Sequence, residues 1–342
     1  MSHTDVSRVA ELLLPAIAYG DAAGLPVETK SAAYIKTQYG RIHQLLPIQE
    51  NPFYKGWYPA GTWSDDTQLS LAVAKALVGA GRFTLETIAE QHTAAYYETP
   101  QITNPDNQTI VNAWGKSTMS AVQRYMQQVP IECCGQPGGA GNGVIMKMAP
   151  LALLHIALDT PLNDAYRECD ALTSFTHASS IARVATRVHL DTLTYLMSSP
   201  YLASEFASRA YESALYHQRD INTEDHRVSN ALKYLTKPRD ITTDEITTHT
   251  DGKGFIVSET LAMAYGAYMV HGGVFAPSVY EAVNLGGDTD SIASIVSAMA
   301  VFSAKGELVL PADADCLQNL PYLQAVSSSL ARLIQTARQY SK

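Results

Sequence analysis

Two short stretches near opposite ends of the chain limit what it can become. Gly61-Thr-Trp-Ser-Asp-Asp-Thr67 and Asn284-Leu-Gly-Gly-Asp-Thr-Asp-Ser291 each set two aspartates, Asp65/Asp66 and Asp288/Asp290, where a glycine-bearing turn gives way to an apolar helical pattern. Leu69, Leu71, Ala72, Val73, Ala76 and Leu77 follow Thr67, and Ile292, Ala293, Ile295, Val296, Ala298, Met299 and Val301 follow Ser291. Such spacing predicts two largely buried helices. A single aspartate at a helix start is an ordinary cap, because its oxygens take orphan N–H groups and its charge suits the dipole. Doubling the acid at two such places exceeds that need. Converging hard oxygen ligands suit Mg²⁺ or Mn²⁺, yet two well-capped helices satisfy the spacing equally.

With 342 residues, the chain has room for one large domain or two ordinary ones. Hydrophobic residues make up 46 % and charged ones 17 %, which supports a sizeable core. The net charge of −9 argues against nucleic acid as a partner, since a phosphate backbone needs a basic face. An anionic ligand must therefore be held by a local device. Cys133, Cys134, Cys169 and Cys316 have neither zinc-like spacing nor a CxxC pair, and read as structural thiols of a reducing compartment. The N-terminus shows no signal peptide, and no apolar run has membrane-spanning length. The expectation is a cytoplasmic protein with no membrane partner.

Along the chain, Val6 to Ala18 predicts a helix ending at a turn at Gly20-Asp21, with Asp21 bonded to nearby backbone. Glu28 follows Pro26 in what reads as a loop. Residues 40–60 carry three prolines without a clear period and predict a long loop. Trp57, Tyr58 and Trp63 could stack on a base, with packing the plainer use. Phe83–Tyr97 and Asn112–Tyr125 have helical spacing and flank a polar loop over Thr99–Asn107. Gly135-Gln-Pro-Gly-Gly-Ala-Gly-Asn-Gly143 is the richest glycine segment and leads into an apolar helical run from Val144 to Ile156. Its N–H groups and the helix terminus behind them suit an anion, although a glycine-rich segment by itself is more often a connection. Thr176-His177 opens another helical pattern, where a lone histidine usually caps or packs. Residues 220–253 hold charged turns and could form a small insertion. Val257–Val270 and Leu317–Tyr340 predict two further helices. Strand-like alternation never persists, so the expected fold is all-α: one domain over 1–342, with loops gathered round a cleft.

Gly20-Asp-Ala-Ala-Gly-Leu-Pro-Val-Glu28, Trp63-Ser-Asp-Asp-Thr67, Gly141-Asn-Gly-Val-Ile-Met-Lys147, Thr176-His177 and Gly286-Gly-Asp-Thr-Asp-Ser291 occur in that order. Together, from about Ala10 to Ala304, they resemble the ADP-ribosylglycohydrolase family. The resemblance implies a hydrolase that removes ADP-ribose from a modified acceptor, foremost an ADP-ribosylated arginine on a protein, by cleavage at ribose C1″. It implies two Mg²⁺ or Mn²⁺ ions in a binuclear site held by Ser64, Asp65, Asp66, Asp288, Asp290 and Ser291. Glu28 is the implied acid/base or gating group, with Asp66 and Asp290 also catalytic. Gly139, Gly141, Asn142, Gly143, Met146, His177, Gly286 and Gly287 fall on the implied substrate side, the glycine segment cradling the pyrophosphate. The implied partner is an ADP-ribosylated protein or ADP-ribose itself; the sequence does not fix the oligomeric state, and a monomer is the expectation. Four positions depart from the family's pattern. Ser64 and Ser291 keep a hydroxyl where threonine is usual. Lys147 replaces an arginine and loses its bidentate fork. Ala113 stands where arginine-cleaving members commonly carry an aspartate. Two competing readings remain: an ADP-ribose-binding or structural member without turnover, and a metal-dependent phosphate-ester hydrolase.

Overall fold

The computed structural model describes residues 3–340 apart from 55, 100, 104–108, 112, 238 and 239. Most apolar runs of helical period fold as helices, and their buried side chains join into one connected core. In order they are α1 (His3–Gly24), α2 (Ala32–Tyr39), α3 (Asp65–Ala80), α4 (Leu85–Glu98), α5 (Lys116–Met126), α6 (Ala149–Leu158), α7 (Leu162–Thr176) and α8 (Ser180–Ser198). There follow α9 (Ala203–Asp220), α10 (Arg227–Leu232), α11 (Thr243–His249), α12 (Val257–Val270), α13 (Phe275–Asn284), α14 (Thr289–Ser303) and α15 (Leu320–Tyr340). The all-α expectation holds with one qualification. Two small ladders are present: Gln101–Thr103 pairs antiparallel with Thr109–Val111, and Gln136–Pro137 pairs parallel with His177–Ala178. Pairs this short leave no period-2 signal in the sequence. Part of the polar loop expected over Thr99–Asn107 lies outside the described residues.

The centre of the molecule is α14, buried along its whole length and packed on α1, which in turn packs on α15. Contact between α1 and α14 depends on Gly20 and Gly24, one helical turn apart. A methyl group on Gly20 would overlap the Ala293 carbonyl, and one on Gly24 would overlap the backbone of Thr289 and Asp290. This close approach explains why α1 does not stop at Gly20-Asp21, as its sequence suggests, but continues to Gly24. The two glycines serve helix packing rather than a turn. The apolar run after the glycine segment also starts its helix late: residues 143–147 are turns, and α6 begins only at Ala149. No helix of the described residues is long and apolar enough to cross a membrane. All four cysteines are free thiols, Cys134 and Cys169 buried and the other two exposed.

Candidate active site

The starts of α3 and α14 meet at the floor of a cleft of about 700 Å³. At the head of α3, Ser64 is the cap, accepting the Asp66 N–H. A deeper support lies beneath it. Asp21, fully buried in the last turns of α1, accepts the Ser64 N–H at 2.9 Å, the Thr67 N–H at 3.0 Å and the Thr67 hydroxyl at 2.6 Å. It ties α1 to α3 rather than fixing a local turn, which corrects the expectation for Asp21. At the head of α14, Gly286 and Gly287 adopt φ of 76° and 81°, and a side chain on either would strike the backbone of Lys30–Ala32 or Gly252–Lys253. Their own groups are engaged as well: the Gly287 N–H donates to the Lys30 carbonyl, and its carbonyl accepts the Thr29 N–H. These glycines shape the turn that delivers Asp288 and do not line the cleft.

Glu28, Asp288 and Asp290 converge there, all three buried, with one carboxylate oxygen from each within 4.8 Å of the others. Asp66 completes the group from the α3 side, accepting the Ser294 hydroxyl at 2.8 Å and the Ser291 hydroxyl at 3.1 Å. Ser64 bridges the two helix starts, its hydroxyl 3.4 Å from both Asp66 and Asp290. Asp288 is held by the Asn142 amide at 2.5 Å, and Glu28 by the Asn51 amide at 3.1 Å. Asp65, partly buried, lines the cleft beside them.

Burial in the company of like charges raises the whole set. Glu28, Asp66, Asp288 and Asp290 are all pushed well above the ordinary carboxylate range, by loss of water first and by one another second. Asp65 rises to about 8, mainly through burial and then through Asp21. Asp21 rises to about 6 through burial, although its hydrogen bonds oppose the shift. Oδ1 of Asp290 is buried with no hydrogen-bond partner among the described residues. A buried acceptor without a donor, among carboxylates that repel one another, fits a hard divalent cation. The two helix N-termini add partial positive charge at the same place.

Gly141, Asn142, Gly143, Met146 and His177 line the wall above the acids, as does Ala113, whose φ is 64°. Gly139 is not on this wall; its carbonyl accepts the Ser179 hydroxyl. The glycine segment runs into backbone turns over 143–147 and not directly into a helix terminus. Lys147 does not line the cleft. It is fully buried behind the wall, its Nζ 3.1 Å from His92 Nε2 and 3.4 Å from Thr176 Oγ1. Nor do Trp57, Tyr58 and Trp63 reach the cleft: Trp57 is exposed, and the Trp63 indole N–H donates to the Gln318 carbonyl. The aromatic faces in the cleft are Phe53, Trp114 and Phe255.

Sequence reasoning missed Asn51, Ser294 and the inter-helix role of Asp21. Ser294 had a signal, lying one helical turn beyond Asp290 and therefore on the same face. Asn51 had none, because a loop asparagine is ordinary until its partner is known.

A helical protein with buried acids at two helix starts under a glycine-walled cleft is thus defined by fold and site alone. The comparisons give it a family. The family model described as ADP-ribosylglycohydrolase matches residues 1–339, and the chain belongs to that family. An uncharacterized protein of Archaeoglobus fulgidus is 28 % identical over 93 % of this chain and 94 % of its own length. The ADP-ribosyl-[dinitrogen reductase] glycohydrolase of Rhodospirillum rubrum is 30 % identical over 40 % of this chain and 41 % of its own length. The ADP-ribosylarginine hydrolase Tri1 of Serratia proteamaculans is 22 % identical over 84 % of this chain and 69 % of its own length. Among solved structures, an ADP-ribosylglycohydrolase-related protein complex superimposes with a TM-score of 0.67 at 22 % identity, covering 97 % of this chain and 99 % of that one.

Proposed function

We propose that the protein is a divalent-metal-dependent hydrolase that removes ADP-ribose from a modified acceptor by cleavage at ribose C1″. The observation that carries the reading is the convergence of Glu28, Asp288 and Asp290 on the floor of a cleft large enough for a nucleotide-sized ligand. Family membership and the named relatives support it. Asp65, Asp66, Asp288 and Asp290, with the hydroxyls of Ser64 and Ser291, would hold Mg²⁺ or Mn²⁺, two ions in the form we favour. Bound there, such ions supply Lewis acidity and a template for the ribose hydroxyls.

The chain's own residues do the rest. Cleavage at an anomeric carbon passes through an oxocarbenium-like state, which needs nearby negative charge, a placed water and a proton for the leaving group. Glu28 suits proton traffic: its carboxyl is buried, raised by its surroundings and oriented by Asn51. Asp66 is held still by Ser291 and Ser294, and Asp290 keeps an oxygen free for the site. Gly141, Asn142 and Gly143 let the diphosphate approach the backbone closely, and Phe53, Trp114 and Phe255 offer apolar faces to the base or ribose. Arginine is the favoured acceptor, although Ala113 on the cleft wall offers no acid to a guanidinium.

The test is a panel of ADP-ribose conjugates of defined linkage, incubated with Mg²⁺ or Mn²⁺ and read by mass spectrometry. Release of free ADP-ribose is expected, and the responsive linkage names the acceptor. Release of AMP or phosphate would replace this reading with a phosphate-ester hydrolase. Tight ADP-ribose binding without turnover of any conjugate would leave a binding protein.

A further inference from the structure

His177 is almost wholly buried, and one edge of its ring forms part of the cleft wall. A methyl group on Gly141 would rest 3.5 Å from its Nε2, and one on Gly143 would rest 3.6 Å from its Cε1. That edge therefore faces the glycine segment. No residue of the described chain pairs with Nε2, whereas Nδ1 lies 2.8 Å from the Thr176 hydroxyl.

Which nitrogen carries the proton follows from the buried groups behind the ring. His92 Nδ1 lies 2.8 Å from the Ile88 carbonyl, which can only accept, so Nδ1 bears the hydrogen. Burial first, with Lys147 adding to it, holds His92 neutral, which leaves its Nε2 bare. Lys147 must then donate to it across 3.1 Å; burial pulls the ammonium down to about 7, and below that pH it has no lone pair, so a second N–H donates to the Thr176 hydroxyl oxygen. Thr176 is fully buried. Were its oxygen also to accept from His177, its own hydrogen would have no partner, at a cost of about 1–3 kcal/mol. The satisfied arrangement has Thr176 donating to His177 Nδ1. The ring is neutral, since burial and then Lys147 hold it down at about 3, so its one hydrogen sits on Nε2.

We propose that Lys147 and Thr176 are positioning residues that lock His177 as the Nε2–H tautomer, so that the cleft wall offers a neutral hydrogen-bond donor to an oxygen of the ligand. Direction runs one way along the chain, from Lys147 through Thr176 to His177 and out to the ligand. A lysine buried behind the wall thereby sets what the wall can bind without touching it. The identity of the ligand, an ADP-ribosyl group, rests on the proposed function; the tautomer does not.

Two measurements separate these. Long-range ¹H–¹⁵N correlation spectra of the ligand-free wild-type protein read the His177 tautomer directly, and Nε2–H is expected at about pH 6, where Lys147 is charged and His177 is neutral. Lys147→Met removes the first donor, and Thr176 then leaves either its hydrogen or its oxygen unpaired whichever way it points, so the preference for Nε2–H should weaken and an Nδ1–H population appear. ADP-ribose affinity should then fall about threefold to tenfold, the worth of one hydrogen bond. His177→Gln supplies an amide donor near the Nε2 position that no tautomer can invert. In that background Lys147→Met should cost no further affinity. An Nδ1–H or doubly protonated ring in the wild type overturns the inference, whatever the variants do. So does an unchanged tautomer in Lys147→Met, or an equal affinity loss in both backgrounds. If the tautomers behave as stated but ADP-ribose binds to none of these proteins, the lock stands and the ADP-ribosyl reading falls.

Discussion

Glu28 illustrates how a residue's role depends on what surrounds it. In sequence it is an acid in a loop; in the folded chain it is buried, tied to Asn51 and faced by Asp290. Glu28→Gln should keep the fold and the response of melting temperature to Mn²⁺, yet lose about 10²–10⁴-fold in hydrolysis. A loss under about threefold in a linkage-defined assay would take Glu28 out of the mechanism. Asp290→Asn tests the acids as a set. Removing one of several buried like charges should leave the protein at least as stable as wild type in chelator, while its gain in melting temperature with Mn²⁺ becomes much smaller. A simple helix cap predicts instead the same modest loss with and without metal. At this scale the sequence was highly legible. The four aspartates, marked by their helix starts, line the cleft, as do Glu28, Asn142, Met146 and His177, which the family resemblance and not their local pattern singled out. Partners that arrive across the fold, such as Asn51, left no local pattern to read.

Elements were legible in kind and less so in their limits. Val257–Val270 matches its helix to the residue, since both ends are marked by a change in apolar spacing. Helix α1 overran its expected end because a tertiary contact outweighed the local glycine signal, and α6 began late, with Pro150 in its first turn, where a proline is tolerated. Gly20 and Gly24 look like breakers and act as spacers. Gly24→Ala should therefore be costly in spite of alanine's better helix propensity. The added methyl group meets the Thr289 and Asp290 backbone and must push α1 off α14, an overpacking penalty of about 1–3 kcal/mol or more. Because that backbone carries Asp290, the variant should also lose its Mn²⁺-induced rise in melting temperature. Thermal melts with and without the ion check both effects; a stable variant with a normal metal response would refute the spacer role.

For the whole molecule, the buried acids make stability depend on pH in a definite direction. Loss of water lifts Asp21 to about 6 and the partly buried Asp65 to about 8 in the folded chain, above an ordinary aspartate near 4. Between those values the folded state holds more protons than the unfolded one, so stability in chelator should fall as pH rises from about 4 to about 8. Excess Mg²⁺ or Mn²⁺ should flatten that slope, adding roughly 2.7 kcal/mol at one hundred times the dissociation constant. Urea titrations across that range, with and without metal, give the measurement. The same architecture bears on how the protein is made. Thr289 meets the Gly24 carbonyl across 265 residues of chain. At roughly 5–20 residues per second, a ribosome needs on the order of 13 to 50 seconds between the two. Throughout that interval α1 has been synthesised without α14, its main packing partner, and part of its apolar surface stays open to chaperones and to other nascent chains. The acidic centre is likewise among the last features to form, so the cell carries the cost of an uncovered first helix until the final part of the chain emerges.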